Sequence, residues 1–137
     1  MILVDSNVLI DILDADPHWY AWSLHQIEQA AGAGNVFINH VVLAEAAPHF
    51  GDLGAFRQAI DEMMIGLAPL TDNGAYLAGL AFLEYRQRRE GSRTVLPDFL
   101  IGGHALSLGA TILTRDPRFY RTYFPEVTLI TPEDRND

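Results

Sequence analysis

Cysteine and lysine are both absent from this chain of 137 residues, and each absence excludes a class of chemistry. Without cysteine the protein has no disulfide, no thiolate zinc site and no cysteine nucleophile, a composition that fits the reducing cytoplasm. Without lysine it has neither the lysine-containing phosphate-binding loop nor Schiff-base chemistry. All nine basic residues are arginines; against 18 acids they give a net charge of −9. Local arginines or metal ions would therefore have to attract any nucleic-acid substrate.

Long hydrophobic runs are also missing. The uncharged run over residues 99–114, which no other run exceeds in length, is too short to span a bilayer and is interrupted by glycines. Residues 1–4 carry no basic residue and are too few to form a signal peptide. The length, together with the lack of linkers and repeats, predicts a single domain over residues 1–137. We therefore expect a soluble, cytoplasmic, one-domain protein with no membrane partner.

Short apolar segments alternate with helical patterns along the chain. The predicted strands are residues 2–4, 35–39, 67–70, 110–113 and 127–130. The predicted helices begin at Ser6 or Asn7, Asp16, His40, Asp52, Thr71 or Asp72, and Pro97. The fifth of them is expected to reach Glu90 and to be closed by Gly91. This alternation predicts an α/β fold with a parallel sheet, in which ligands bind beyond the carboxyl ends of the strands.

Four acidic residues lie in strongly apolar surroundings: Asp5, Glu45, Asp98 and Asp116. Asp5 follows the first predicted strand and Asp116 the fourth, so both belong to one edge of a parallel sheet. Each of three acids has an ordinary structural explanation. Asp5 can cap a helix, Asp98 can favour a helix dipole from the first turn, and Asp116-Pro117 is a common turn pair. Glu45, in the middle of a helix, has no capping role.

Taken together, the four acids predict a metal site. Carboxylates that converge on one edge of a sheet repel each other at neutral pH unless a divalent cation neutralises them. Oxygen ligands without cysteine suit Mg²⁺ or Mn²⁺, and carboxylate-held Mg²⁺ is typical of phosphoryl chemistry. Ser6 has no obvious histidine partner, so we expect its hydroxyl to support the acids rather than act as a nucleophile.

Two arginine clusters are candidates for contact with phosphate. The first comprises Arg86, Arg88, Arg89 and Arg93, and it could equally be a solvated helix end. The second flanks Asp116 and is better placed to meet a phosphate: Arg115, Arg118 and Arg121. Arg115 could instead pair with an acid of the site.

Two histidines lie near these acids in the sequence. His49 is one turn beyond Glu45 and could approach the site, although Pro48 disturbs that helix. His104 lies on a different helix face from Asp98, and we expect it in the core or on the surface rather than as a ligand.

With these features in place, the chain resembles a PIN-domain ribonuclease, in particular the VapC toxins of prokaryotic toxin–antitoxin pairs. The resemblance covers essentially the whole chain, through the segments VDSNVLIDIL, HVVLAEAA, LPDFLIGGHALSLGATILTRDPRFY and VTLITPE. It implies an α/β/α sandwich around a central parallel sheet of about five strands. Where such toxins commonly have alanines after the third acid, this chain has Gly102 and Gly103, and we expect these glycines to leave room near the acids.

The resemblance also implies an activity and partners. The four acids would bind one or two Mg²⁺ or Mn²⁺ ions and drive endonucleolytic cleavage of RNA by a metal-activated water. Asp5 and Asp98 match the direct metal ligands, Glu45 a ligand or a group that acts on the water, and Asp116 a contact to a second metal or to a metal-bound water. Residues that match supporting or substrate-binding positions are Ser6, Asn7 and Thr114, and we add Arg115. The implied partners are a second copy of the chain and an inhibitory VapB-like antitoxin.

Three other functions remain open on the sequence. A phosphatase or a phosphoacceptor is disfavoured because both typically need a lysine near the phosphate, and the phosphatase pattern wants an acid where Asn7 stands. A catalytically silent PIN-like binding module is disfavoured because all four acids are present. A metal-dependent DNA nuclease is disfavoured because related enzymes normally carry extra basic elements for duplex DNA.

Overall fold

Residues 1–88 and 96–132 are described by the computed structural model of the chain. The elements are, in chain order, β1 (Ile2–Val4), α1 (Ser6–Leu13), α2 (Tyr20–Ala33), β2 (Val36–Ile38), α3 (His40–Ala46) with a 3₁₀ turn (Ala47–His49), α4 (Leu53–Glu62), β3 (Gly66–Leu67), α5 (Asp72–Arg88), α6 (Leu96–Leu108), β4 (Thr111–Leu113), α7 (Pro117–Tyr123) and β5 (Leu129–Ile130). Helices flank a central sheet, and the predicted α/β/α fold is confirmed.

The sheet has five strands in the order β3-β2-β1-β4-β5, and every pair is parallel. The central strand is β1, in which Ile2 pairs with Val36 on one side and with Thr111 on the other. The chain order reverses between β1 and β4, and in open parallel sheets ligands bind beyond the carboxyl ends of the strands at such a reversal. A ligand is therefore expected to bind near the residues that follow Val4 and Leu113.

The core is built from strands that are apolar on both faces. Leu3, Val4, Ile38, Ile112 and Leu113 are fully buried. Because helices cover both sides of a parallel sheet, its inner strands have no polar face, which explains why their sequences show no alternation. This burial makes every polar group at the strand ends costly unless it is hydrogen-bonded or paired.

Several element boundaries differ from the prediction. Asp5, rather than Ser6 or Asn7, caps α1. Helix α2 starts at Tyr20, because the Asp16 carboxylate accepts the backbone N–H groups of His18 and Trp19 and holds a turn there. Strands β3 and β5 are also shorter than predicted, at two residues each.

The sequence patterns missed helix α7. Its N-cap is Asp116, with Pro117 at the first helical position, an arrangement that favours helix initiation. The helix buries Tyr120 and Tyr123. Asp116-Pro117 is therefore a helix start rather than only a turn, and α7 brings Tyr120 to the residue that follows β1.

The glycines of α6 serve helix packing and leave no room near the acids, contrary to expectation. A Cβ atom on Gly102 would lie 2.3 Å from the Phe124 ring. A Cβ atom on Gly103 would lie 2.4 Å from the Gly74 carbonyl oxygen of α5 and 2.7 Å from the Ala78 backbone nitrogen. The space that these glycines provide is filled by α5 and by an aromatic ring.

Some predicted features fall outside the described residues. These are the end of α5 at Glu90 and Gly91, and two members of the first arginine cluster, Arg89 and Arg93. Within the described ranges, no helix is at once long enough and apolar enough to cross a membrane.

Candidate active site

Asp5 is held at the carboxyl end of β1 by hydrogen bonds to both of its carboxylate oxygens. Its Oδ1 accepts the Ser6 backbone N–H at 2.8 Å, as the cap of α1. Its Oδ2 accepts the hydroxyl groups of Thr114 at 2.8 Å and of Tyr120 at 2.9 Å, with the Asn7 amide at a longer 3.4 Å. The residue is only 3% exposed. Because burial disfavours the charged form, the pKa of Asp5 is raised despite these donors.

Glu45 reaches the same region from α3. The Ser6 hydroxyl donates to its Oε1 at 3.0 Å, so Ser6 links the end of β1 to α3. The pKa of Glu45 is raised, mainly by burial and in part by the negative charge of Asp5. The orientation of α3 is fixed by its cap, because the buried Asn39 side chain accepts the Val42 backbone N–H at 3.0 Å.

Asp98 shows most clearly that the four acids share one environment. It lies in the first turn of α6 and is half-buried. Its pKa is raised from 3.8 to about 7, first by burial and then by the charges of Asp5, Glu45 and Asp116. Asp116 is exposed just before α7, and its backbone N–H donates to the Thr114 hydroxyl at 3.0 Å. The structure therefore brings all four predicted acids within electrostatic range of one another.

The chemistry of this cluster fits a hard divalent cation, although the side chains do not enclose one as they stand. In the described part of the chain, no three histidine, aspartate or glutamate side chains converge closely enough to hold an ion. The cluster nevertheless consists of carboxylate oxygens alone, the donor set of Mg²⁺ and Mn²⁺ sites. The nearest arginine along the chain does not neutralise it, because the Arg115 guanidinium is bound elsewhere. A cation would relieve the repulsion that raises the pKa of Asp98.

Arg115 pairs with an acid that the sequence analysis overlooked. Its Nε and Nη2 donate to the two oxygens of Asp11 at 2.6 and 2.9 Å, and its guanidinium lies 5.2 Å from the centre of the Trp19 ring. Asp11 is buried on α1 and also accepts the Ser23 hydroxyl. The Arg115 backbone N–H donates to the Asn7 amide oxygen at 3.2 Å. The pair thus ties the loop after β4 to α1, and the signal was an acid inside the apolar segment VLIDIL.

The two histidines considered from the sequence lie away from the acids. His49 binds Asp14, with 2.7 Å between Nδ1 and Oδ1, and does not contact Glu45. His104 is fully buried, as expected for a core residue, and its Nδ1 lies 3.0 Å from the Asn39 amide nitrogen. Burial lowers the pKa of His104, so the ring is neutral and accepts the amide proton at Nδ1. Asn39 and His104 thereby join α3, which carries Glu45, to α6, which carries Asp98.

Tyr120 is the other contact that the sequence analysis missed. It is 1% exposed, and the pKa of its hydroxyl is raised well above the usual value because of burial and the nearby charge of Asp5. It therefore stays protonated and donates to Asp5. Its only trace in the sequence is an aromatic residue four positions after Asp116, which is recognisable only once α7 is known.

Comparison with known proteins places this arrangement in a family. The family model described as PIN domain matches residues 2–125 of the chain. No curated protein sequence matches it.

Several solved structures share the fold. One is VapBC2 from Rickettsia felis bound to a DNA fragment from its promoter, with a TM-score of 0.67, 19% identity, and coverage of 96% of this chain and 98% of the other. FitAcB from Neisseria gonorrhoeae has a TM-score of 0.66 at 15% identity, covering 98% and 100%. DNA-bound VapBC from Salmonella typhimurium has a TM-score of 0.66 at 18% identity, covering 95% and 96%. At these identities the likeness establishes the fold.

Proposed function

The chain belongs to the PIN domain family, and from this we propose that it is a single-domain, divalent-metal-dependent endoribonuclease that acts as the toxin of a toxin–antitoxin pair. The observation that carries the proposal is the cluster of four carboxylates: burial, and then the repulsion by the other three acids, raises the pKa of Asp98 to about 7. A protein gains no stability from such repulsion. The cluster is understandable as a cation site, and carboxylate-held cations serve phosphodiester hydrolysis.

Asp5, Glu45, Asp98 and Asp116 would hold Mg²⁺ or Mn²⁺, with Asp5 and Asp98 as the principal ligands. The bound cation would neutralise phosphate charge and lower the pKa of a water molecule. The protein supplies the positioning. Asp5 is fixed from three elements, and Ser6 holds Glu45 through Oε1. Glu45 Oε2 accepts no hydrogen bond from a described residue, so it can accept a proton from the attacking water.

Arginines near the acids would attract RNA phosphates to the site, although the protein is acidic overall. Arg118 and Arg121 are on α7, which starts at Asp116. The Arg88 guanidinium at the end of α5 lies 5.6 Å from the centre of the Tyr123 ring, also on α7. Arg88 of the first cluster and two arginines of the second therefore lie on or beside α7, the helix that starts at Asp116. This arrangement supports contact with phosphates of a single strand that enters the site.

The partners proposed are a VapB-like antitoxin and a second copy of the chain. The support is that the structural neighbours are described as toxin–antitoxin assemblies, some of them bound to DNA. An exposed apolar row on α5 is available for such a contact: Tyr76, Leu80 and Leu83.

The test is cleavage by the purified full chain without antitoxin. Defined single-stranded RNAs and DNA strands of the same sequence are incubated with Mg²⁺, Mn²⁺ or EDTA. We expect RNA cleavage that needs the metal and is lost in Asp5→Asn and Asp98→Asn. Asp61→Asn, an exposed acid on α4, is the matched control and should cut like the wild type.

The other outcomes separate the alternatives. Cleavage of the DNA strands in preference to RNA would favour a DNA nuclease. Metal binding by folded protein without cleavage of any strand would favour the binding module. Cleavage that survives both site variants would reject the assigned residues.

A further inference from the structure

The hydrogen bonds of Asp5 divide its two oxygens into different roles. A carboxylate oxygen has two lone pairs. Oδ2 uses both on short hydroxyl bonds, at 2.8 Å from Thr114 and 2.9 Å from Tyr120, and the Asn7 amide is a more distant third donor at 3.4 Å. Oδ1 accepts one bond from the described residues, the Ser6 backbone N–H at 2.8 Å, and keeps a lone pair. The two oxygens are therefore not equivalent toward a ligand.

We infer that Tyr120 is a positioning residue for Asp5: with Thr114 it occupies Oδ2, so that Asp5 offers a cation Oδ1 alone. The inference rests on the proposed metal site and adds to it a residue and a mode of coordination. Tyr120 acts through Asp5, because its buried hydroxyl donates its proton to Asp5 Oδ2.

The construction around Tyr120 fits this role. Its ring packs edge-on against Phe119 at a centroid distance of 5.2 Å. Its backbone lies about one turn of α7 beyond Asp116. Thr114 reaches the same oxygen from the end of β4, and its hydroxyl also accepts the Asp116 N–H. Two elements that are separate in the fold thus hold one carboxylate oxygen. Without them, the Asp5 side chain could rotate about its last bond and exchange its oxygens.

The experiment measures Mn²⁺ affinity with the metal alone, by electron paramagnetic resonance of free Mn²⁺ and by calorimetry, on the full chain. Tyr120→Phe removes only the hydroxyl oxygen and keeps the ring. We expect its Mn²⁺ affinity to fall about 10-fold, the lower end of the range for partners of metal ligands. Tyr20→Phe at the start of α2, where the residue is 39% exposed, is the matched control and should bind like the wild type.

A second pair of variants guards against a folding defect in Tyr120→Phe. Thr114→Val removes the other hydroxyl and should also weaken Mn²⁺ binding, whereas Thr114→Ser keeps a hydroxyl and should restore it. Thermal unfolding in EDTA is recorded for each variant. A purely structural role would lower the unfolding temperature without changing the affinity for Mn²⁺.

The outcomes distinguish this inference from the proposed function. If the wild type binds Mn²⁺ and Tyr120→Phe binds it equally well, the positioning role is wrong and the metal site stands. If Thr114→Ser is as weak as Thr114→Val, the hydroxyl is not the relevant group and the inference is likewise rejected. If the wild type itself binds no Mn²⁺, the proposed metal site fails, and the inference fails with it.

Discussion

Replacing Asp98 by asparagine should make the metal-free protein more stable while it abolishes the activity. Burial, and then the charges of three nearby acids, raise the pKa of the wild-type carboxylate from 3.8 to about 7. Between pH 3.8 and about pH 7, the Asp98 carboxyl is protonated in the folded state and ionised in the unfolded state. The free energy of unfolding therefore falls as the pH rises through this range. This deficit in stability is complete once Asp98 is ionised in the folded state, above about pH 7. Asparagine has the same shape and carries no charge, so it removes the deficit.

The size of the gain follows from the pKa difference with two corrections. A shift of about 3 pH units corresponds to about 4 kcal/mol, which is an upper limit. Asp98 is only half-buried, and solvent screening reduces this to on the order of 1–2 kcal/mol. Loss of a negative charge from the first turn of α6 costs about 0.3–1 kcal/mol. We therefore expect a net gain of about 1 kcal/mol at pH 8, or about 3–6 °C in the unfolding temperature.

The assay is thermal unfolding followed by circular dichroism, in EDTA, at several pH values from 5.5 to 8. The difference between Asp98→Asn and wild type should grow with pH over this range. The control is Asp72→Asn, which removes an acid from the first turn of α5, where the residue is exposed. It should lose a little stability at every pH. Adding Mg²⁺ should stabilise the wild type and leave Asp98→Asn unchanged.

Two results would refute this reasoning. Asp98→Asn could be no more stable than wild type at pH 8 in EDTA, which would mean that the charge of Asp98 does not destabilise the folded state. Alternatively, the gain could be the same at pH 5.5 and pH 8, which would mean that it does not arise from the charge of Asp98.

Two further substitutions test the packing around the site, both by chemical denaturation. Gly102→Ala should destabilise the protein by about 1–3 kcal/mol, because the new Cβ would overlap the Phe124 ring. In the control Gly79→Ala, on the exposed surface of α5, the new Cβ meets nothing within 4 Å, and the substitution should stabilise the protein by up to about 1 kcal/mol. Equal effects of the two substitutions would contradict the close packing of α6. Asp11→Asn should lower the free energy of unfolding by about 2–3 kcal/mol, because it breaks the buried pair with Arg115. In the control Glu84→Gln, which removes an exposed pair with Arg88, the loss should be less than about 1 kcal/mol. An Asp11→Asn variant as stable as the wild type would contradict the link between α1 and the loop after β4.

The sheet and the position of the acids could be predicted because they depend on local patterns. Apolar runs without alternation marked the inner strands, and Asp5 and Asp116 followed two of them directly. In a parallel sheet those positions must share an edge, so their proximity needed no knowledge of side-chain contacts. Glu45 stood out because a helix interior gives a lone acid among apolar residues no capping role.

The contacts that orient the acids could not be predicted, because they join residues far apart in the chain. Tyr120 reaches Asp5 across 115 positions, and Arg115 reaches Asp11 across 104. Neither pair has a spacing that marks it in the sequence. Helix α7, which sets the position of Tyr120, was missed because Asp116-Pro117 suits a turn as well as a helix start. The boundary of α2 failed for a related reason, since the Asp16 cap holds a turn ahead of the helix.

The central claim is that four carboxylates hold a divalent cation, and the most direct measurement is anomalous diffraction from crystals of the protein grown with Mn²⁺. We predict a manganese peak among Asp5, Glu45, Asp98 and Asp116, with Asp5 bound through Oδ1, and no such peak in crystals of Asp98→Asn. Folded wild-type protein with no manganese at these residues, or with the ion bound only elsewhere, would contradict the assignment of this cluster as the metal site of a nuclease.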